Sequence, residues 1–298
     1  MDNLKIGFIG QGFVGKNYAD NFENRGYGVV RYSLEENHLD NKVKINDCDI
    51  VFIAVPTPTI QGEFIFTAVQ DSLKLVGDGK IAVIKSTLLP GTTDTLQKMF
   101  KNIFVFHCPE FLSESTAKED VDSPGRNIVG VTELTKINQE KAELVLAALP
   151  SAPFSKIMTA KEAELVKYAG NCFLYEKVVF FNQIYDVSKS IGADYENIRE
   201  AVVQDKRIGA SHTHIFDQLV SDDDTLKRGS GGNCFIKDFE AFLKFYKEKL
   251  PSDVAGYNSL HSIRDKNNQY LISTNKDLDI LEKVTKEDLL IQNKSELI

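Results

Sequence analysis

Three patterns in this chain carry residue types at spacings that can do chemistry. The densest is Gly229-Ser230-Gly231-Gly232-Asn233-Cys234-Phe235-Ile236-Lys237-Asp238. A cysteine after a glycine pair sits on backbone that a ligand can approach closely, and Asp238 shares its face if a helix starts there. A lone cysteine is ordinarily a small buried hydrophobe. As a thiolate it is a nucleophile able to form a covalent intermediate. The second pattern is Lys167 and Asn171, one turn apart in a helical stretch. They present a cation and an amide donor to a developing oxyanion, or else form an exposed polar stripe. The third is Gly10-Gln11-Gly12-Phe13-Val14-Gly15, directly after the apolar run Leu4 to Ile9. His107, His212 and His214 have no partners at metal-ligand spacing, so no metal site is expected.

The glycine pattern reads as a strand, a tight turn and a helix. Gly10 permits the turn, Gly12 lets a pyrophosphate approach the backbone, Gly15 lets helix and strand pack closely, and the helix N-terminus offers N–H groups to the phosphates. An acidic residue ending the second strand would take the ribose 2′-hydroxyl of NAD. Here Val29-Val30-Arg31-Tyr32-Ser33 puts Ser33 at that place, with Glu35 and Glu36 just beyond. Arg31 and Ser33 would suit a 2′-phosphate, whereas Glu35 or Glu36 on the ribose would suit NAD. The expected cofactor is NAD, with NADP left open.

These residues need elements to position them. Buried-strand candidates lie at Leu4 to Ile9, Gly28 to Tyr32, Ile50 to Val55, Ile81 to Lys85, Ile103 to Phe106 and Asn127 to Val131, with helical patterns such as Phe66 to Val76 and Thr92 to Met99 between several of them. Strands alternating with helices predict an α/β fold with a Rossmann-type, doubly wound parallel sheet. From Ala160 to Ile191 the pattern becomes one long helix, on which a mainly helical domain is built. The expected organisation is a dinucleotide-binding domain over 1–153, a helical central and dimerisation domain over 154–250, and a short polar tail over 251–298 that packs as short helices or frays.

Composition sets the setting. With 298 residues, 42% of them hydrophobic and 26% charged, the chain can bury a substantial core. A net charge of −8 without a long basic run excludes the electrostatic footprint of a nucleic-acid binder. Cys48, Cys108, Cys172 and Cys234 form no C-x-x-C pair, and no apolar stretch reads as a signal peptide or membrane span. The expectation is a cytoplasmic protein with free thiols, one of which can be a nucleophile.

The cysteine segment resembles the signature G-F-G-G-x-C-F-x-K-D of the UDP-glucose/GDP-mannose dehydrogenase family, with Ser230 in place of the aromatic residue. Other family segments follow in order: Val55-Pro56-Thr57-Pro58-Thr59, Lys85-Ser86-Thr87-Leu88-Leu89-Pro90-Gly91-Thr92 as K-S-T-x-x-P-G-T, Pro109-Glu110-Phe111-Leu112-Ser113-Glu114 as P-E-F-L-x-E, Lys167 and Asn171 as K-x-x-x-N, and Asp205-Lys206-Arg207-Ile208-Gly209 as D-x-R-I-G. The resemblance covers residues 4 to 240.

It implies that Val55, Thr57, Ser86, Thr87, Glu114 and Ser33 lie with the glycine turn on the cofactor side. It places Glu110, Phe111, Leu112, Lys167, Asn171 and Gly231 against a sugar nucleotide, with Arg207 reaching the substrate of a neighbouring subunit in a homodimer built on the long helix. It implies oxidation of a primary alcohol to a carboxylate, UDP-glucose to UDP-glucuronate. Cys234 holds the aldehyde as a thiohemiacetal and then as a thioester, Lys167 and Asn171 support the oxyanion, Asp238 activates a water, Glu110 is the base for hydrolysis, and Thr87 positions the water or the nicotinamide. The P-E-F-L-x-E form favours UDP-glucose or GDP-mannose.

Two departures stand out. The stretch from Ser211 to Arg228 is longer than in many members, and only residues 239–298 follow Asp238, so a third, nucleotide-gripping domain is expected to be missing or a remnant. Competing readings are a GDP-mannose dehydrogenase, a β-hydroxyacid dehydrogenase, against which the cysteine motif argues, and a sugar-nucleotide binder without turnover, against which the full set of candidate residues argues.

Overall fold

The computed structural model describes residues 4–215 and 227–285. In chain order the elements are β1 (Lys5–Ile9), α1 (Phe13–Asn24), β2 (Gly28–Tyr32), a run of 3-10 turns over Glu36–Asp47, β3 (Ile50–Ile53), β4 (Thr59–Ile60), β5 (Glu63–Phe64), α2 (Thr67–Leu73), β6 (Ile81–Ile84), α3 (Thr92–Met99), β7 (Phe104–His107), α4 (Ala117–Asp122), β8 (Arg126–Val131), α5 (Lys136–Ala148), β9 (Phe154–Thr159), α6 (Ala160–Ser190), α7 (Tyr195–Val202), α8 (Gly232–Lys249), α9 (Val254–Ser273) and α10 (Leu278–Val284). They form two compact units, one of the residues up to Thr57 with Ile65–Lys167, the other of Pro58–Phe64 with the residues from Tyr168 onward.

The first unit is a seven-stranded sheet in the order β2-β1-β3-β6-β7-β8-β9. Neighbours run parallel except β7 and β8. Strands β3 and β6 read as unbroken apolar runs, Ile-Val-Phe-Ile and Ile-Ala-Val-Ile, because both faces of a parallel sheet are covered. Phe8 stacks on Phe52 with centroids 5.0 Å apart, and Phe22 of α1 meets Phe8 edge-on at 5.4 Å. The parallel pairing brings the carboxyl ends of β1, β3, β6 and β7 to one edge of the sheet. Gly10, Val55, Ser86 and Glu110 all follow those ends, which is where open α/β sheets hold ligands.

Among the described residues, the regular elements of the second unit are helices apart from the β4–β5 hairpin. Tyr175 of α6 stacks on Phe239 of α8 at 4.0 Å, and Ile236, Leu271, Leu281 and Val284 form a core shared by α8, α9 and α10. The hairpin joins α10 through Gln61 and Gly62, whose N–H groups donate to the carbonyls of Lys283 and Val284 at 3.0 and 2.8 Å.

The units divide elsewhere than the expected boundaries at 153 and 250. Strand β9 was not expected, because Phe-Ser-Lys-Ile-Met-Thr lacks the apolar run of its neighbours; it is the exposed edge of the sheet, where one face suffices. The first turns of α6 stay with the sheet, and residues 58–64 belong to the helical unit. Within the tail, α9 is a 20-residue helix rather than a short one. Among the described residues no helix is long and apolar enough to cross a membrane.

A carboxylate ties α6 to α3. Fully buried Glu164 accepts from the N–H of Gly91 at 2.6 Å, from the N–H of Thr93 at 2.8 Å and from the Thr93 hydroxyl at 2.6 Å. Burial nevertheless outweighs these donors and pushes its pKa up to about 7. A carboxyl group raised on folding stabilises fully below its unfolded value and loses that contribution as pH climbs through the folded one. We therefore expect wild-type stability, relative to Glu164→Gln, to fall between about pH 4.5 and 7 by up to roughly 3 kcal/mol. Thermal melts of both proteins across that window check it; a flat difference would show that the three donors hold the carboxylate ionised.

Candidate active site

On the cofactor side the glycines are required by contact. Gly10 has φ +89, and a Cβ there would lie 2.2 Å from the carbonyl oxygen of Ala54; a Cβ on Gly15 would lie 1.9 Å from that of Gly10. A Cβ on Gly12 would meet nothing within 4 Å, so this turn faces open space just before α1. Gly12 caps α1 without a side-chain bond, leaving first-turn N–H groups for an anion. Such a cradle fits a dinucleotide pyrophosphate. Gln11 donates to the Gly10 carbonyl at 3.1 Å, while Phe13 is exposed and Val14 half-buried beside it.

The end of β2 bears on the two alternatives left open there. Arg31 is not available for a 2′-phosphate with Ser33: its guanidinium is held by Asp20 at 2.6 Å and Glu23 at 2.7 Å, both on α1. Ser33 is buried, and its hydroxyl accepts from the Glu35 N–H at 3.3 Å. Further along the same edge, Ser86 Oγ accepts from the Val55 N–H at 3.0 Å and donates to the Val55 carbonyl at 2.7 Å, while the Thr57 hydroxyl donates to the Thr87 carbonyl at 2.9 Å. Glu114 is exposed in the loop after β7.

The loop after β7 meets α6 in a buried ion pair. Lys167 Nζ donates to Glu110 Oε1 at 2.8 Å and to the Glu110 carbonyl at 2.9 Å, and the other carboxylate oxygen accepts from the Leu112 N–H at 2.8 Å. Phe111, Leu112 and Arg126 line a cavity of about 370 Å³, and the Arg126 guanidinium stacks on the Phe111 ring, 3.8 Å from its centroid. Beneath this loop Lys85 Nζ sits 3.3 Å from Cys108 Sγ and 4.1 Å from the Tyr18 ring centroid. Burial lowers the Lys85 pKa, but Cys108 and Tyr18 offset it and push the value up to about 12. Burial, with Lys85 and Lys167 near, pushes His107 down to about 3, so its imidazole is neutral.

In the helical unit Cys234 is exposed in the first turn of α8, whereas Cys48, Cys108 and Cys172 are buried. Burial raises the Cys48 thiol to about 11 and the Cys172 thiol well above its usual value. A helix N-terminus instead favours negative charge on sulfur. Asp238, one turn on, is buried and accepts from Asn171 Nδ2 at 2.6 Å and from the neighbouring Lys237 ammonium. Arg207 is paired with Asp205 at 2.6 Å and projects outward. Residues 216–226 of the long stretch before Arg228 lie outside the described residues. Among the described residues no group of three His, Cys, Asp or Glu could hold a metal ion.

Sequence reasoning missed the residues that hold these loops. Asn267 of α9 accepts from the Ser230 N–H at 2.6 Å and donates to the Ser230 carbonyl at 2.9 Å, and Glu164 anchors the Leu89-Pro90-Gly91-Thr92 turn. The spacing of Glu164, three before Lys167 on one helix face, was the one available signal. Asn267 had none, being far along a polar helix.

The doubly wound sheet and glycine turn define a Rossmann-type dinucleotide-binding protein. Residues 31–147 match the UDP-glucose/GDP-mannose dehydrogenase family, NAD binding domain, and residues 161–269 match that family's central domain. The chain belongs to the UDP-glucose/GDP-mannose dehydrogenase family. It is 28% identical over 286 residues to a UDP-glucose 6-dehydrogenase of Rhizobium meliloti (strain 1021), covering 81% of this chain and 63% of that protein. It is 32% identical over 239 residues to UDP-glucose 6-dehydrogenase TuaD of Bacillus subtilis (strain 168), covering 72% and 48%. The chain thus spans about half to two thirds of the length of these relatives. A UDP-glucose dehydrogenase structure from Pyrobaculum islandicum superposes with a TM-score of 0.75 at 27% identity, covering 91% of this chain and 70% of that one.

Because Asp20 and Glu23 engage the Arg31 guanidinium at the end of β2, wild type is expected to favour NAD. The double substitution Asp20→Asn, Glu23→Gln frees the guanidinium and should raise the NADP-to-NAD ratio of kcat/KM by about tenfold or more, roughly 1.4 kcal/mol. Steady-state kinetics with both cofactors check this; an unchanged ratio would mean that Arg31 does not face the 2′ position.

Proposed function

We propose that this chain oxidises the primary alcohol of a sugar nucleotide to a carboxylate, with UDP-glucose to UDP-glucuronate as the leading reaction. One observation carries the reading: the only exposed cysteine among the described residues opens α8, one turn from a buried carboxylate that holds Asn171. The relatives' names and the family's NAD binding domain support it.

A two-stage oxidation must keep the aldehyde from escaping between the stages. NAD supplies the hydride acceptor for both. In the first, Asp238 takes the alcohol proton through a water, with Lys167 supporting the alkoxide. Cys234 then adds to the aldehyde carbon, and the sulfur–carbon bond gives a thiohemiacetal whose oxygen is supported by the Lys167 ammonium and the Asn171 amide. After the second oxidation the acyl group is a thioester on Cys234. Glu110 removes a proton from the attacking water, the carbon–sulfur bond breaks, and acid leaves with the thiolate restored. Thr87 holds that water or the nicotinamide.

GDP-mannose is the second substrate candidate. A β-hydroxyacid dehydrogenase has no use for the Cys234 arrangement, and a binder without turnover has no use for the full set of candidate catalytic residues. A homodimer through α6 fits as well. Phe173, Phe180 and Val187 recur every seven residues and are 64%, 55% and 55% exposed, an apolar stripe suited to a second copy.

Two measurements test these readings. With UDP-glucose and NAD, wild type should form two reduced cofactors per acid, and Cys234→Ser should lower acid formation by at least about a thousandfold while keeping cofactor binding, since a serine hydroxyl is a far weaker nucleophile near neutral pH. Acid at the wild-type rate from the serine variant would make Cys234 structural. Light scattering should give a dimer for wild type and a monomer for Phe180→Glu; an unchanged mass would move the interface off this stripe.

A further inference from the structure

We propose that Lys276 and Asp277, in the turn between α9 and α10, are positioning residues for Cys234. They set where α8 begins and balance the charge at its N-terminus.

The segment before Cys234 cannot hold itself. Gly229 and Gly232 have φ +91 and +79, and Gly-Ser-Gly-Gly offers almost no side chain with which to fix that backbone. Its order comes from residues 267–277. The Lys227 ammonium donates to the Asn275 carbonyl at 2.9 Å, the Arg228 N–H to the Thr274 hydroxyl at 3.1 Å, and the Lys276 ammonium to the Gly229 carbonyl at 3.0 Å. The last bond falls on the helix itself: the Gly232 N–H, at the first residue of α8, donates to Asp277 Oδ2 at 2.7 Å.

Two further observations show that this contact is built. Asn275 and Asp277 have φ +53 and +51, a left-handed conformation that costs a non-glycine residue about 1 kcal/mol and persists only where the surroundings enforce it. A Cβ on Gly231 would lie 2.1 Å from Asp277 Oδ2 and 2.6 Å from Lys276 Cε. The place where residue 231 would carry a side chain is therefore the seat of Lys276 and Asp277, which gives the motif glycine a role besides substrate contact.

The chemical consequence follows from helix-end physics. Asp277 takes one first-turn N–H of α8 and fixes the start of the helix, which puts Cys234 at its third residue, where the remaining N–H groups favour a thiolate. The aspartate's own charge opposes that thiolate, and the Lys276 ammonium offsets it. The effect on turnover rests on the reading of Cys234 as the nucleophile; the effect on thiol reactivity does not.

The test is the pH profile of iodoacetamide alkylation on the full chain, in which Cys234 is the exposed thiol and Cys234→Ser supplies the blank. Asp277→Asn keeps an acceptor oxygen and loses the charge, so the alkylation midpoint should fall by about half a pH unit with kcat within about threefold of wild type. Lys276→Met should raise the midpoint by a similar amount. Asp277→Ala loses the acceptor as well and should lower kcat about tenfold or more with KM little changed. Midpoints unchanged in both Asp277→Asn and Lys276→Met would overturn the proposal, as would an alanine variant with wild-type kcat. Should the alanine variant not fold, the other two midpoints decide. Shifted midpoints in a protein without any dehydrogenase turnover would uphold the positioning role and sink the proposed function instead.

Discussion

The buried pair between Lys167 and Glu110 is the constraint on which the geometry of the loop after β7 depends. A lysine ammonium and a carboxylate that are each about nine-tenths buried tolerate one arrangement, because losing either partner strands a charge at a cost of about 3–5 kcal/mol. Both carboxylate oxygens are taken, one by Lys167 and one by the Leu112 N–H, so the loop after β7 has a fixed course. One turn earlier on α6, Glu164 fixes the entry to α3 in the same way. The helix is thus registered against the strand ends by directional polar bonds. Apolar packing alone would let it slide by a turn at smaller cost.

The helical unit solves its positioning problem differently. Its core combines the stack of Tyr175 on Phe239 with the aliphatic cluster of Ile236, Leu271, Leu281 and Val284, while the N-terminal end of α8 is held by side chains of α9 and the turn beyond it. Arg228 marks the entry to that loop, paired with Asp186 at 2.6 Å and set between the rings of Tyr185 and Tyr270. Stiffness comes from these clamps, which leaves the loop itself free to be nearly bare of side chains. A bare loop suits the proposed role of Cys234.

The strands of the sheet were legible because a parallel sheet covered on both faces demands continuous apolar runs, as in Ile50–Ile53 and Ile81–Ile84. The long helix was legible from its period, and the glycine turn from contacts that only glycine can satisfy. Edge strand β9 was not, since a strand exposed on one side mixes Ser, Lys and Thr into its sequence. Nor was the two-residue pairing of β4 with β5. For the site, residue types at fixed spacing named Cys234, Asp238, Lys167 and Asn171, but their supports lie far away in the chain. Asp20 and Glu23 on Arg31, and Asn267, Lys276 and Asp277 on the cysteine loop, are non-local partners that no local pattern encodes. For that reason the sequence left the Arg31 and the Glu35 or Glu36 alternatives at the ribose open, and the pairing of Arg31 with Asp20 and Glu23 became visible only in the structure.

The central claim is that Cys234 carries the substrate as an acyl group between oxidation and hydrolysis. Glu110→Gln removes the proposed base for hydrolysis and keeps a side-chain oxygen beside Lys167. After mixing that variant with UDP-glucose and NAD and quenching in acid, peptide mapping by mass spectrometry should find the uronyl adduct on the peptide containing Cys234. The same map from a mixture that has consumed cofactor, with no adduct on Cys234 or with free aldehyde released in its place, would contradict the account.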